Sequence, residues 1–384
     1  MLTRQTVQTY LQSGEDSFVE FKRDAVHPNS LARELVAFAN TQGGTVLLGV
    51  DDDGSVSGIT KAKVEEWIAN IATNNCIPPL IPTIQTFQIS GKKVLAIAVE
   101  RSFEPHRVSD GKYYVRVGSV VREMTHTELA RLFQQRQLIV YEETAVRGTS
   151  ASDLDLSLVT EYFLQANGFD LTELSAEEQE RLFVNADLLT QEGHVTVHGL
   201  LLFGKNPQKQ IPHSTVSFAH FAGIDRGSRL HDRKRVTGPL KNQIDRAVDL
   251  LLLHLPVSSE IQGLERVELH QIPMLVLREA VANAIIHRDY SIVGAEIQLL
   301  LFDDRLEVHS PGPLPNTVTI ENMKVGKSVS RNPQIMRYFE NIRYVDRLGR
   351  GVPMIFREMK KLGRREPIIE ADAGAVRLIL FRSP

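Results

Sequence analysis

Glu279 and Asn283 are the residues best placed to do chemistry, four positions apart in an Ala- and Ile-rich stretch that ends in His287-Arg288-Asp289-Tyr290. Leu275, Ala282, Ile285 and Ile286 recur at helical spacing, which predicts a helix carrying the carboxylate and the carboxamide on one face, one turn apart. A carboxylate can orient and deprotonate a water. An amide oxygen can ligate a hard cation such as Mg²⁺, which takes few protein ligands beside substrate phosphates. The plainer alternative is a Glu that favours the helix dipole and an Asn hydrogen-bonded in a core. His287 follows Asn283 by one more turn and faces the same place, and Arg288 is expected to pair with Asp289 at the helix end. Further on, Gly349 and Gly351 open a helix expected over 354–362. Glycines there let the backbone approach a phosphate, and the free N–H groups of a helix start favour anions.

A second group, Arg101, Arg107, Lys112, Tyr113, Tyr114, Arg116 and Arg122, mixes cations and rings within a short segment. Cations neutralise phosphates and rings stack on bases, which makes this the candidate nucleic-acid surface; an ordinary solvated sheet face is the alternative. The chain has 44 basic and 47 acidic residues, a net charge of −3. Any contact with nucleic acid must therefore come from a local patch and not from a basic domain.

The elements that must position these groups alternate between strands and helices. Glu15–Lys22 alternates polar and apolar like a strand, a helix is expected over 31–40, and Gly43-Gly44 turns into a buried strand over 45–50. Asp51-Asp52-Asp53-Gly54 makes an acidic turn, and 92–99 and 112–117 read as further strands. In the C-terminal part, 295–302 and 306–309 read as strands joined at Asp303-Asp304-Arg305, and Ser310-Pro311-Gly312-Pro313 breaks the chain. Between the two parts, 153–166 and 175–186 look helical, and 190–199 reads as a turn and strand. The apolar residues of this connector suit a small helical or winged-helix insertion, but its acidic run Glu173–Glu180 argues against contact with phosphate. His213, His220 and His287 lack a metal-ligand spacing.

The C-terminal order of acidic/Asn helix, strand, Gly break and Gly-x-Gly helix start resembles the GHKL ATPase family. Glu279 and Asn283 match its Glu-x-x-x-Asn box, and Gly349 and Gly351 match its last glycine box. The middle Asp-x-Gly box, whose Asp reads adenine, is represented by Ser310-Pro311-Gly312, without the carboxylate. More narrowly, 199–375 resembles the divergent GHKL-type half of ATP-binding transcriptional regulators, through Gly199-Leu-Leu-Leu-Phe-Gly204, His287-Arg-Asp-Tyr290, Ser310-Pro-Gly312 and Arg347-Leu-Gly-Arg-Gly351. The resemblance implies ATP and Mg²⁺ as cofactors, with Lys324, Lys327, Ser328, Ser330, Arg331 and Asn332 in a lid over the phosphates. A solvated loop is the alternative for that run.

The N-terminal part resembles the AlbA-like domain of Schlafen proteins, through Val19-Glu-Phe-Lys22, Ala37-Phe-Ala-Asn40, Gly43-Gly44, Gly49-Val-Asp-Asp52 and Tyr114-Val-Arg-Val-Gly118. That family is described as DNA-binding, and some members cut RNA with three carboxylates. Here these correspond to Glu15, Glu20 and Asp52, with Asp51 and Lys22 beside them. Such a set could hold Mg²⁺ or Mn²⁺ and activate water for phosphodiester hydrolysis. Strand alternation and a simple hairpin are the alternative.

At 384 residues with 42% hydrophobic content, two or three domains are expected. They are read as a Schlafen/AlbA-like domain over 1–138, a helical connector over 139–212 and a GHKL-like nucleotide-binding domain over 213–384. The fold class is α+β, a mixed N-terminal sheet with helices and a C-terminal α/β sandwich. The single cysteine, Cys76, excludes an intramolecular disulfide and a cysteine-based zinc site. The N-terminus does not read as a signal peptide, and no apolar run reaches membrane-spanning length, so a cytoplasmic protein is expected. No winged-helix module is expected after the last helix, which leaves only about 20 residues. The expected role is a nucleic-acid-associated transcriptional regulator, on DNA before RNA, whose state is set by ATP, with a homo-oligomer compatible. The alternatives are a metal-dependent nuclease acting through Glu15, Glu20 and Asp52, and a non-catalytic oligomeric scaffold.

Overall fold

The computed structural model describes residues 2–136, 138–262, 265–315, 318–327, 329–345, 349–372 and 374–382, in two compact units, Met1–Ile139 and Val140–Pro384. It is a mixed α+β structure. The first unit runs α1 Arg4–Ser13, β1 Val19–Lys22, α2 Pro28–Asn40, β2 Gly44–Leu48, α3 Val64–Asn74, β3 Cys76–Ile77, β4 Thr83–Ile89, β5 Lys92–Val99, β6 Arg107–Val108, β7 Tyr114–Val117, β8 Val120–Glu123 and α4 His126–Gln135. Its main sheet has the order β1-β2-β5-β4. β1 and β2 pair in parallel, as they must when a helix, α2, returns the chain between them.

Proline at its first turn starts α2 without losing a needed donor. From Leu31 to Asn40 every side chain except Arg33 is buried, so α2 is the central helix of the unit. Its apolar residues share one core with β2, α3 and β5. A smaller core on the opposite side of the sheet joins Val7 of α1 to Phe21, Leu47 and Val94. That division follows from strand alternation, since Val46 and Leu48 face one core and Leu47 the other.

The second unit runs α5 Leu156–Asn167, α6 Ala176–Asn185, α7 Val197–Phe203, β9 Val216–Ala222, β10 Arg229–Val236, α8 Leu240–His254, β11 Val257–Gln262, β12 Glu265–His270, α9 Met274–Ile286, β13 Ile297–Leu301, β14 Arg305–Pro311, α10 Ile320–Lys324, α11 Pro333–Asn341, α12 Gly351–Lys361, β15 Ile368–Ala371 and β16 Ala375–Phe381. Six strands form a sheet in the order β10-β9-β13-β14-β16-β15, with only β9 and β13 parallel. One continuous core joins Val216, Leu299, Val308 and Leu380 of this sheet to α8, α9, α11 and α12.

The segment read as a connector packs into that same core through Leu154, Phe163, Phe183, Leu200 and Phe203. Its stretch at 190–199 forms the expected turn, closed by the Leu189–Val195 bridge, but in place of a strand leads into the buried helix α7, with Thr196 as N-cap accepting from the Gly199 N–H. A side-chain cap and the apolar run 200–203 after it outweigh the β-branched start. Glu142 reaches across 192 residues to the N-terminus of α11, where its carboxylate accepts from the N–H groups of Gln334 (2.6 Å) and Ile335 (3.0 Å). Among the described residues no helix is long and apolar enough to cross a membrane.

Candidate functional site

Helix α9 lies under the sheet with Val276, Leu277, Ala280, Val281, Ala284 and Ile285 all buried. Leu275, expected to be buried, is exposed in its first turn. Glu279, Asn283 and His287 form the polar row along the helix, and all three line one cavity of about 160 Å³. That is roughly ten times what a single water needs, so the cavity has room for a ligand. Its other walls are mostly apolar, including Val308, Leu314, Met336, Ile355 and Leu378. An apolar pocket with a few converging polar groups has the general form of a small-molecule site.

Within the row, the Asn283 amide donates to Glu279 Oε1 at 2.9 Å. That bond fixes the carboxamide, with its nitrogen on the carboxylate and its oxygen left as the side suited to a cation. Burial, together with the neighbouring Arg331, depresses the His287 pKa to about 4. At neutral pH His287 is therefore an uncharged hydrogen-bonding group and not a cation.

Gly349 and Gly351 stand at the start of α12 and line the same cavity. A Cβ on Gly351 would lie 1.7 Å from Glu279 Oε1, and one on Gly349 would lie 1.9 Å from the Gly326 carbonyl oxygen. Both positions need a bare backbone because other groups sit where a side chain would go. Gly312 also lines the cavity, at φ +113°, with Asp289 Cβ and the Arg331 guanidinium filling the place of a side chain.

Lys327 lines the cavity, whereas Arg331 is not among its walls. Arg331 donates to the Pro313 carbonyl oxygen at 2.5 Å and lies 3.6 Å from Asp289 Oδ2, so it braces the chain break at Gly312. Asn332, read as part of a lid, is buried and donates to the carbonyl oxygens of Ile286 (2.7 Å) and Arg288 (2.8 Å), closing the end of α9. Ser328, Arg347 and Leu348 lie outside the described residues. The expected Arg288–Asp289 ion pair does not form. The buried Arg288 guanidinium instead donates to the carbonyl oxygens of Asp289, Ile292 and Ala295. Ser310, in the place of the missing carboxylate, donates to the Ala284 carbonyl oxygen at 2.7 Å.

In the first unit the structure redistributes the expected roles. Glu15 accepts from the Phe21 N–H at 2.8 Å. Glu20 is 5% exposed and is ion-paired with Lys22 and with Arg116, the latter at 2.7 Å. Asp51 pairs with Arg23 at 2.9 Å. Among the described residues no group of three or more His, Cys, Asp or Glu side chains is placed to hold a metal ion. Glu15, Glu20 and Asp52 are thus not assembled as a three-carboxylate metal site, because Glu20 faces inward to neutralise buried cations.

The basic patch is corrected in the same way. The Arg116 side chain is 1% exposed, and its guanidinium meets Glu20, Glu34 and the carbonyl oxygens of Asp16 and Val19. Burial raises the pKa of Glu34 to about 7, with the Glu20 charge adding to the rise. Tyr114 is buried, with the Arg33 guanidinium 5.4 Å from its ring centroid, and is not open to a base. Arg122 makes two bonds to the Glu128 carboxylate, at 2.6 and 2.8 Å, and Lys112 pairs with Glu123 at 2.7 Å. Arg107 is half-buried in β6. These pairings were hidden from the sequence because Glu34 and Glu128 come from helices whose faces are set only by packing.

Comparison with known proteins places both units. Residues 15–125 match the family model described as "Schlafen, AlbA_2". Residues 294–380 match the one described as "Putative ATP-dependent DNA helicase recG C-terminal", a span that includes Gly312, Lys327 and the Gly349–Gly351 helix start and begins just after α9. No curated protein matches the chain. Among solved structures, the chain is similar to the DIP2311 protein from Corynebacterium diphtheriae, with 25% identity and a TM-score of 0.51 over 98% of this chain and 79% of that one. It is also similar to the N-terminal domain of a protein from Nitrosomonas europaea titled "Putative ATP-dependent DNA Helicase RecG-related Protein", with 26% identity and a TM-score of 0.26 over 33% of this chain and 95% of that one. The chain therefore joins an AlbA-like domain to an ATPase-type domain.

Proposed function

We propose that this chain is a nucleic-acid-associated regulator whose second unit binds ATP in the cavity under α9 and whose state follows the bound nucleotide. The observation that carries the reading is the row Glu279, Asn283 and His287 facing one cavity, with the glycine start of α12 opposite. The residues present fit Mg²⁺ and ATP, because the bare backbone of Gly351 lets the Glu279 carboxylate lie against the glycine start of α12, where both line the cavity. Asn283 would hold the cation through its oxygen, and Lys327 and the N–H groups at Gly349–Gly351 would meet the phosphates. Glu279 would orient the attacking water. Mg²⁺, if bound, would add to the neutralisation of phosphate charge by Lys327 and the helix start. The match of the first unit to the AlbA_2 model supports association with nucleic acid. The nuclease alternative has no observation in its favour, since Glu20 is engaged in ion pairs.

The test is a thermal unfolding series with Mg²⁺ and ATP. Ligand at a hundred times its Kd stabilises by about 2.7 kcal/mol, and Asn283→Ala removes the shift. Glu279→Ala keeps the shift and abolishes release of phosphate. An unchanged melting curve of the wild type at millimolar ATP would overturn the ATP reading and leave the non-catalytic scaffold in the lead.

A further inference from the structure

Arg136 follows α4 in the first unit and is 7% exposed, yet its Nε and Nη1 atoms are buried without any hydrogen-bond partner. Its Nη2 reaches the carbonyl oxygens of Ala39 and Asn40, at the C-terminus of α2, only at 3.4 Å, beyond the usual range. The Ala39 carbonyl already accepts from the Ser102 N–H at 2.9 Å. Among the described residues the charge acting on Arg136 is a second cation, Arg101, and no carboxylate contributes. Burial and Arg101 together lower the Arg136 pKa to about 10. His106, also nearby, donates through Nδ1 to a carbonyl, and burial and Arg136 lower its pKa, so it supplies no negative charge.

A buried guanidinium without a counter-charge and with unmade hydrogen bonds is strongly unfavourable in isolation. The other buried arginine of this unit, Arg116, shows the contrast, since it is matched by two carboxylates and two carbonyls.

We propose that Arg136, with Arg101 as a neighbouring cation, forms an anion site at the end of α2 that takes a phosphate group. The shared chemistry is a tetrahedral oxyanion, supplied either by a nucleic-acid backbone or by free phosphate. The proposal deepens the nucleic-acid reading of the first unit, but its phosphate arm stands or falls independently of it. It does not involve the nucleotide cavity.

The chain's single tryptophan, Trp67, lies in α3 of the same unit, so its fluorescence follows the unfolding of this unit in the full chain. Urea unfolding is measured while inorganic phosphate replaces chloride at constant ionic strength. The wild-type midpoint is expected to rise and saturate with phosphate. Arg136→Met is expected to be at least as stable as wild type in chloride, because an unpaired buried charge is gone, and not to respond to phosphate. Arg101→Gln, at an exposed position, keeps the fold and raises the half-saturating phosphate concentration five-fold or more; it carries the test if Arg136→Met does not fold. A phosphate response that is absent, or equal in wild type and variants, would overturn the proposal.

Fluorescence anisotropy with labelled single-stranded and duplex oligonucleotides separates the two sources. If Arg136→Met weakens binding and reduces the log–log salt slope by about one, the phosphate belongs to nucleic acid. If oligonucleotide binding is unchanged while the phosphate response is intact, the ligand is the free anion.

Discussion

Replacing Arg116 with Ala should unfold the N-terminal unit far more readily without acting as a binding mutation. The guanidinium is nearly inaccessible and meets Glu20 Oε2 at 2.7 Å, Glu34 Oε2 at 3.2 Å, Asp16 O at 2.7 and 2.9 Å and Val19 O at 2.9 Å. It also covers the Phe38 ring at 4.8 Å. Its loss leaves Glu20 and Glu34 facing each other with only Lys22 between them. Removing one partner of a buried ion pair costs about 3–5 kcal/mol. With a urea m-value of about 2 kcal/mol per molar, the midpoint falls by about 2 M. Trp67 fluorescence reads this in the full chain, since no second tryptophan contributes. Combining Arg116→Met with Glu20→Gln and Glu34→Gln should recover at least half of the loss, because replacing the whole buried set avoids uncompensated charge. A midpoint shift below about 0.5 M for Arg116→Ala, or no recovery in the triple variant, would refute the assignment of Arg116 as a buried clamp.

Three further outcomes are expected. Gly351→Ala places a methyl 1.7 Å from Glu279 Oε1, so it should destabilise the second unit by about 1–3 kcal/mol and abolish any ATP-induced shift in melting temperature. Glu142 is fully buried, and burial raises its pKa from 4.5 to about 7. A raised carboxyl pKa means that the folded state holds the proton more tightly. Its contribution is therefore full below pH 4.5 and is lost as pH rises to about 7, by about 3 kcal/mol; calorimetry on wild type and Glu142→Gln should show that slope flattened in the variant. Asn332→Ala removes two bonds to the end of α9 and should cost about 2 kcal/mol, measured by urea unfolding followed by circular dichroism.

Periodicity and turn chemistry carried most of the elements. The strand over 92–99 matches β5, and the α9 row was legible because i, i+4 and i+8 positions share a face whatever the tertiary context. What the sequence hid depends on which way a side chain turns. Arg116 and Tyr114 alternate along β7 as a solvated strand would, but the face they occupy lies against α2. Glu20 reads as a candidate ligand by its motif, and only the nearness of Arg116, about a hundred residues away, makes it a structural counter-ion. Glu142 gave no signal at all, since its partners lie 192 residues on.

That long reach of Glu142 bears on how the chain can be divided. A truncation beginning at residue 213 would follow the apparent break in the sequence and retain every glycine and polar residue of the cavity. It would also strip the cap from α11, remove His198, which contacts the Glu142 carbonyl, and open the core to solvent where Leu154, Leu200 and Phe203 now pack. Asn332, just before α11, holds the end of α9, so the loosening would arrive at the row Glu279–His287 itself. The smallest piece suited to isolating the cavity for ligand screening begins at or before Val140, and a shorter one would report the failure of its scaffold as an absence of binding.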